Sequence, residues 1–321
     1  MPPLRRAVLD GRIDVRVLAR HPLVYDAGPD SSEDRPAHVR SASGAVFFGG
    51  RLAIIQDDAL FVALVDGEGR VSSVSLPPGH GGRRLFDDAR GNKRHKLDLE
   101  ACLVLGSSLV VFGSGSTPER ERVVLVHDDG SVRVVDASAL YAKLRARRDF
   151  TGSELNIEGA LAHGERVILA SRGNGAPNQH GMPVDATCCL YTAALQAFLE
   201  DPTRHPPPAV TDVEQFDLGH IDGARLTFTD LALDPRDGAR VLYVACAEAS
   251  PDATRDGPVS GVAVGVLGET PRYGLVRDER GLLLTDKIEG LVARQDGTLL
   301  GVIDVDEPLR AAEILELSFE R

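Results

Sequence analysis

Short apolar runs come in pairs along this chain, and each pair is introduced by an acidic or hydroxyl residue. The anchors are Ser43 (before GAVFFGGRLAIIQ), Glu100 (ACLVLGSSLVVFG), Glu158 (GALAHGERVILAS), Asp230 (LALDPRDGARVLYVACA) and Glu289 (GLVARQDGTLLGVI). They stand 57, 58, 72 and 59 residues apart, a period that suits one four-stranded β-sheet and is too long for a helical or ankyrin-type unit. In the first repeat, alternation and turn residues predict strands at 44–48, 51–56, 60–65 and 70–76. The second repeat predicts 101–105, 109–112, 123–127 and 132–135.

The third and fourth repeats are looser, with insertions at 175–185 and 201–212 that account for the long spacing of 72. After Glu289 only three strands remain, at 291–294, 299–305 and 312–319, and the segment 13–19 supplies the missing fourth. This closes the ring without a bare edge strand. The pattern therefore predicts an all-β fold, a five-bladed β-propeller in one domain over 1–321. Its blades fall at about 43–76, 100–136, 158–218, 230–278 and 289–321. Residues 20–42, rich in Pro, Asp and Ser, read as a loop.

Charge narrows the partners. A net charge of -12 repels nucleic acid and anionic membrane surfaces, so no nucleic acid and no membrane is expected as a general partner. No apolar stretch reaches 18 residues and the first residues hold no apolar segment of signal-peptide length, so the expected location is cytoplasmic. Cys102, Cys188, Cys189 and Cys246 fall in predicted strands with no framework spacing and read as buried apolar groups. Nothing in the chain sets an oligomeric state.

In a propeller the inner strands begin at one mouth of a central channel, so Ser43, Glu100, Glu158, Asp230 and Glu289 would meet around the axis. Four carboxylates at about 6 Å repel by roughly 2 to 3 kcal/mol per pair at an effective dielectric near 20. Protonation of some carboxyls or a cation among them relieves this. An all-oxygen set selects a hard ion, Ca2+ before Mg2+, because calcium tolerates irregular geometry. The alternative is that each acid hydrogen-bonds backbone N–H groups of the next blade.

With these anchors the chain resembles the calcium-activated nucleotidases of the apyrase type. Their five anchors run Ser, Glu, Glu, Ser, Glu, against Ser43, Glu100, Glu158, Asp230 and Glu289 here. The words Phe47-Phe48-Gly49-Gly50-Arg51-Leu52, Asn156-Ile157-Glu158, Phe228-Thr229-Asp230 and Lys287-Ile288-Glu289-Gly290 are also similar. The resemblance implies a five-bladed propeller with one axial calcium. The Glu-Gly-Leu anchors are more weakly similar to esterase-like phytases and to the SMP-30/gluconolactonase group. Where the nucleotidases carry Arg-Thr-Gly this chain has Ala59-Leu60-Phe61, so the resemblance carries fold and metal further than nucleotide chemistry.

The ends of the second strands would form a second ring of Asp57 and Asp58, Ser114 and Ser116, Arg172 and Asn174, Glu248, and Asp304 with Asp306. Asp57, Asp58 or Asp304 is the candidate base and Arg172 the candidate oxyanion or phosphate clamp. A basic loop, Arg83, Arg84, Arg90, Lys93, Arg94, His95 and Lys96, would draw a small anionic substrate to this mouth. His95, His180, His205 and His220 are further acid–base candidates by loop position alone. Two readings stay open: a metal-dependent hydrolase of a small anionic ester, phosphoester, phosphoanhydride or lactone, and a non-catalytic calcium-stabilised binding module.

Overall fold

The computed structural model describes residues 2–249, 257–305 and 307–320. It is all-β and propeller-like, built of antiparallel four-stranded meanders. The first sheet runs Ala42–Phe48, Arg51–Gln56, Phe61–Val65 and Val71–Ser75. The second runs Leu99–Leu105, Ser108–Gly113, Arg122–His127 and Val132–Asp136. The third runs Ile157–His163, Arg166–Ser171, Asp185–Tyr191 and Thr211–Asp217. A ten-stranded sheet has two halves. One contains Ala224–Leu233, Val241–Glu248, Val259–Val266 and Arg272–Arg277; the other contains Ile288–Ala293, Leu299–Ile303, Glu313–Glu320 and Asp14–Pro22.

These strands are apolar on both faces because every sheet is covered on both sides. In Arg51–Gln56, Leu52 and Ile54 pack with Val292, Leu300 and Val302 of the last strands, while Ala53 and Ile55 pack with Cys102, Leu109 and Val111 of the second sheet. The second sheet meets the third through Val110, Phe112, Val167 and Leu169. The third meets the strands that follow it through Ile168, Phe216, Phe228 and Tyr243, and those meet the last strands through Val244, Val264, Leu291 and Leu315. The innermost strands touch in the same order, Ala42–Phe48 against Leu99–Leu105 and onward until Ile288–Ala293 returns to Ala42–Phe48. One end of each inner strand thereby converges on a common axis.

The N-terminal segment does more than close the last meander. Asp14–Pro22 pairs antiparallel with Glu313–Glu320, and so extends into the stretch expected to be loop. It also pairs in parallel with Val276 and Arg277. Before it, Val8–Leu9 pairs with Arg272 and Tyr273, and Leu4–Arg6 with Gln215 to Asp217. One continuous strap thus crosses the outer edges of three neighbouring sheet units. It lies close to Gly274, where an added Cβ would meet the Ile13 carbonyl oxygen at 2.3 Å. Gly274→Ala is therefore expected to lift the strap, costing roughly 1 to 3 kcal/mol. Faster hydrogen exchange confined to residues 4–22 and their partners would show it; unchanged protection there would refute it.

Three helices depart from the strand pattern expected of the sequence. Ser138–Ala146 and Arg148–Thr151 link the second and third sheets, and Thr192–Glu200 follows Asp185–Tyr191 directly, just ahead of the expected insertion at 201–212. Each of the two longer helices buries one stripe, Leu140, Tyr141 and Leu144 or Leu195, Phe198 and Leu199, on the core shared by those sheets. All four cysteines are free, and Cys102, Cys188 and Cys246 are buried. No helix among the described residues is long and apolar enough to cross a membrane.

Candidate functional site

In each inner strand the pairing with its neighbour slips by one residue. The skipped residues are Ser43, Glu100, Glu158, Thr229 and Glu289. Such a bulge bends the strand and re-aims a side chain. Asp230, the fourth anchor by spacing, instead occupies the place that Gly44, Ala101, Gly159 and Gly290 hold in the other strands. Its carboxylate accepts the backbone N–H of Leu231 at 2.7 Å and of Leu291 at 2.8 Å, which ties its strand to the next. Ser43 and Thr229 donate their hydroxyls to the carbonyls of Leu99 and Ile288, each on the following inner strand. For Asp230 the hydrogen-bonding alternative is therefore the one realised, and the acids left facing the mouth are Glu100, Glu158 and Glu289.

A cavity of about 320 Å³ opens there. Ser43, Glu100, Glu158 and Glu289 line it, and so do Asp57, Asp58, Arg172, Asn174 and Asp304; Asp230 does not. Ser114 is drawn inward to the carboxylate of Asp98, and Asp306 lies outside the described residues. Of the basic loop, Lys93 and Lys96 line the cavity. Arg84 and Arg90 turn instead to Glu33 and Asp34, at 3.2 and 2.9 Å. None of the four candidate histidines lines it, and His95 stacks on His80 with ring centroids 3.7 Å apart.

The charge of the ring is met from within the chain, an escape that spacing alone did not reveal. The Arg172 guanidinium lies 2.6 Å from Glu248 and 3.3 Å from Glu158, and its Nε donates to Thr227. Lys287 pairs with Glu289 and lies 3.5 Å from Glu248. Arg40 holds Asp58 at 2.6 Å and Asp87 at 3.1 Å. Lys96 contacts Asp57 and lies 2.6 Å from Asp98, which Arg120 holds from its other side at 2.7 Å. Lys96, Asp98 and Glu100 all line the cavity, with Leu97 and Leu99 turned into the core; Asp98, at a left-handed φ of 54°, leads into the strand, and the bulge re-aims Glu100. Asn156 donates to Glu158 at 2.7 Å from two residues before it.

The acids respond to this setting in opposite directions. Burial pushes Glu289 up to about 8, against the pull of Lys287. Burial, with Asp98, Glu158 and Asp57 adding repulsion, raises Glu100 well above the carboxylate range. Burial and then Asp57 push Asp58 up to about 7 in spite of Arg40. Burial also opposes charge on Asp98 and Glu248, but their cations prevail. Lys96 and Arg120 hold Asp98 low, and Lys287 and Arg172 bring Glu248 to about 2.

Asp57, Asp98 and Glu100 each bring a carboxylate oxygen within 4.8 Å of the other two, a grouping able to hold a metal ion. Asp98 is the member that neither the anchor ring nor the second ring expected of the sequence contains. The donor set is all oxygen, as a hard divalent cation requires. Buried oxygens beside it, Oδ1 of Asp57 and Oδ1 of Asp58, accept no hydrogen bond. The candidate metal group therefore sits to one side of the axis, among the acids of the first and second sheets.

A propeller-like β-fold with a charged cavity at the mouth of its inner strands is the class this chain represents. The chain belongs to the family described as "Family of unknown function (DUF6929)", whose model matches residues 38–319. No curated protein matches it. Among solved structures it is similar to a streptogramin B lyase, at 9% identity and TM-score 0.41 over 94% of this chain and 98% of that one. It is also similar to a gluconolactonase from Xanthomonas campestris, at 10% identity and TM-score 0.40 over 87% and 88%. A luciferin-regenerating enzyme aligns at 9% identity and TM-score 0.40 over 87% and 77%. Likeness of this size carries no argument about activity, and the nucleotidase resemblance gains no support from it.

Proposed function

We propose that this protein is a five-bladed propeller hydrolase that acts on a small anionic ester or lactone in the cavity at its mouth, with a divalent cation, calcium, held by Asp57, Asp98 and Glu100. The observation that carries the reading is the convergence of these three carboxylates on a cavity large enough for a small ligand. A bound cation would polarise the substrate oxygen. The candidate base is Asp58, which lines the cavity and whose carboxyl burial raises to about 7, close to what proton transfer from water needs. Lys93, on the cavity wall, supplies positive charge for the substrate's anionic group. The clamp role expected of Arg172 is not kept, since its Nε and both terminal nitrogens already serve Thr227, Glu158 and Glu248.

The test is turnover of p-nitrophenyl phosphate, nucleoside diphosphates and simple lactones with calcium and with chelator. Asp58→Asn is expected to lower kcat by about 100-fold or more, and Glu100→Gln to remove the response to calcium. No turnover on any of these substrates would overturn the reading. It would favour the binding module, which the dense internal pairing of Arg40, Arg172 and Lys287 also suits.

A further inference from the structure

Lys96 stands where a metal would have to go. It is more than nine-tenths buried, and its Nζ reaches Asp98 at 2.6 Å and contacts Asp57, two of the three acids in the candidate cation group. The third, Glu100, forms no ion pair within 4 Å and no hydrogen bond through its carboxylate among the described residues, and it keeps part of its surface open to the cavity. The ammonium does not satisfy the site either. Asp57 Oδ1 and Asp58 Oδ1 are buried without partners, and Asp58 is itself more than nine-tenths buried on the wall of the same cavity. Even with Arg120 on Asp98 and Arg40 on Asp58, Lys96 leaves Oδ1 of Asp57, Oδ1 of Asp58 and the carboxylate of Glu100 unserved.

The internal cations do not reach the site in the same way. Lys287 immediately precedes the inner strand Ile288–Ala293, and Arg172 immediately follows Arg166–Ser171, so both are held by sheet backbone. Lys96 instead leaves a single 3-10 turn, Lys93–His95, at the end of the loop that joins the first and second sheets. Its ammonium can withdraw by rotation of its own long side chain and adjustment of that loop, without disturbing a strand pairing.

Resting on the reading of Asp57, Asp98 and Glu100 as a cation site, we propose that the Lys96 ammonium is the resident occupant of that site and that it and a divalent cation exclude each other. The two compete for the same oxygens, and at ligand distances their charges repel too strongly for joint occupancy. Lys96 thereby sets the threshold of metal concentration at which the site fills, and metal entry delivers a free ammonium to the cavity.

The experiment is calorimetric titration of the full chain with calcium chloride alone, comparing the unaltered protein with Lys96→Met, Lys96→Arg and Glu100→Gln. Lys96→Met is expected to bind calcium at least tenfold more tightly than the unaltered protein, Lys96→Arg to show no gain, and Glu100→Gln to lose binding. Should Lys96→Met fail to fold, amine acetylation of the unaltered protein, read by mass spectrometry on the peptide holding Lys96, gives the same answer. That amine is expected to react at least tenfold faster once calcium is added. Equal calcium affinity with and without Lys96, or an amine that stays protected while calcium binds, overturns the exclusion and leaves the cation site standing. If neither the unaltered protein nor a folded Lys96→Met binds calcium up to about 10 mM, the cation site itself is refuted.

Discussion

Arg172→Ala is expected to cost about 3 to 5 kcal/mol of folding free energy, a large share of the roughly 5 to 15 kcal/mol that an ordinary domain has. The guanidinium is 3% exposed and stands between Glu158 and Glu248, themselves almost fully buried. Removing it leaves Glu158 with the Asn156 amide and Glu248 with Lys287 at 3.5 Å and the Gly257 N–H, too little for two charges in a medium that solvates them poorly, and it also leaves Thr227 without its donor. The companion variant Glu158→Gln with Glu248→Gln removes the charge that needs Arg172. In that background Arg172→Ala should cost about 2 kcal/mol less, a coupling that a double-mutant cycle reads directly. Urea unfolding of the four proteins measures it. A loss under about 1 kcal/mol for the single variant would mean that the pairs seen around Arg172 carry little of the stability.

The second large effect is on pH. Glu289 is raised from 4.5 to about 8 and Asp185 from 3.8 to about 6, both chiefly by burial. Each holds a proton in the folded chain at pH values where the unfolded chain has released it. Their contribution to stability is therefore lowest above the folded value and grows as pH falls toward the unfolded value. Glu248, brought down to about 2, and surface acids such as Asp66, lowered by Arg70, behave oppositely, and their stabilisation is lost in strong acid. Glu289 and Asp185 together are expected to make stability greater at about pH 5.5 than at about pH 8.5 by about 4 kcal/mol, since each tenfold gain in proton affinity on folding is worth roughly 1.4 kcal/mol, and Asp58, raised to about 7, acts in the same direction. Urea midpoints across that range check the sign. A flat profile, or one rising with pH, would show that the mouth carboxylates stay ionised and are fully compensated by their cations.

What the sequence made legible follows from how each feature is encoded. Meander strands and their turns are local, so Arg51–Gln56 can be placed to the residue and most other strands to within a few. The anchor positions are legible in four repeats because Ser43, Glu100, Glu158 and Glu289 each precede a small residue and an apolar run. In the fourth repeat Thr229 and Asp230 stand side by side, and only the slip in strand pairing tells which one occupies the bulge. The acids of the site are easier to find than its cations. Lys287 and Arg172 meet Glu248 across different strands, and spacing says nothing about such contacts. One signal is available: in Lys96-Leu97-Asp98-Leu99-Glu100 charged residues alternate with leucines up to the anchor, which marks Asp98 and Lys96 as its companions. The helix Thr192–Glu200 also has a readable stripe at Leu195, Phe198 and Leu199, masked by the strand pattern on either side of it.

The strap formed by residues 4–22 leaves the ribosome well before any of the strands it will pair with, which are made much later, at 211–217, 272–277 and 313–320. Contacts of such sequence separation form slowly, because a very long loop must be closed before they yield any gain. The early meanders can assemble on the emerging polypeptide, but the edges at 211–217 and 272–277 stay open until that segment returns. For that interval the nascent chain exposes unpaired strand edges, which makes the final closure, rather than any single sheet, the step at which chaperone help or self-association has its opportunity.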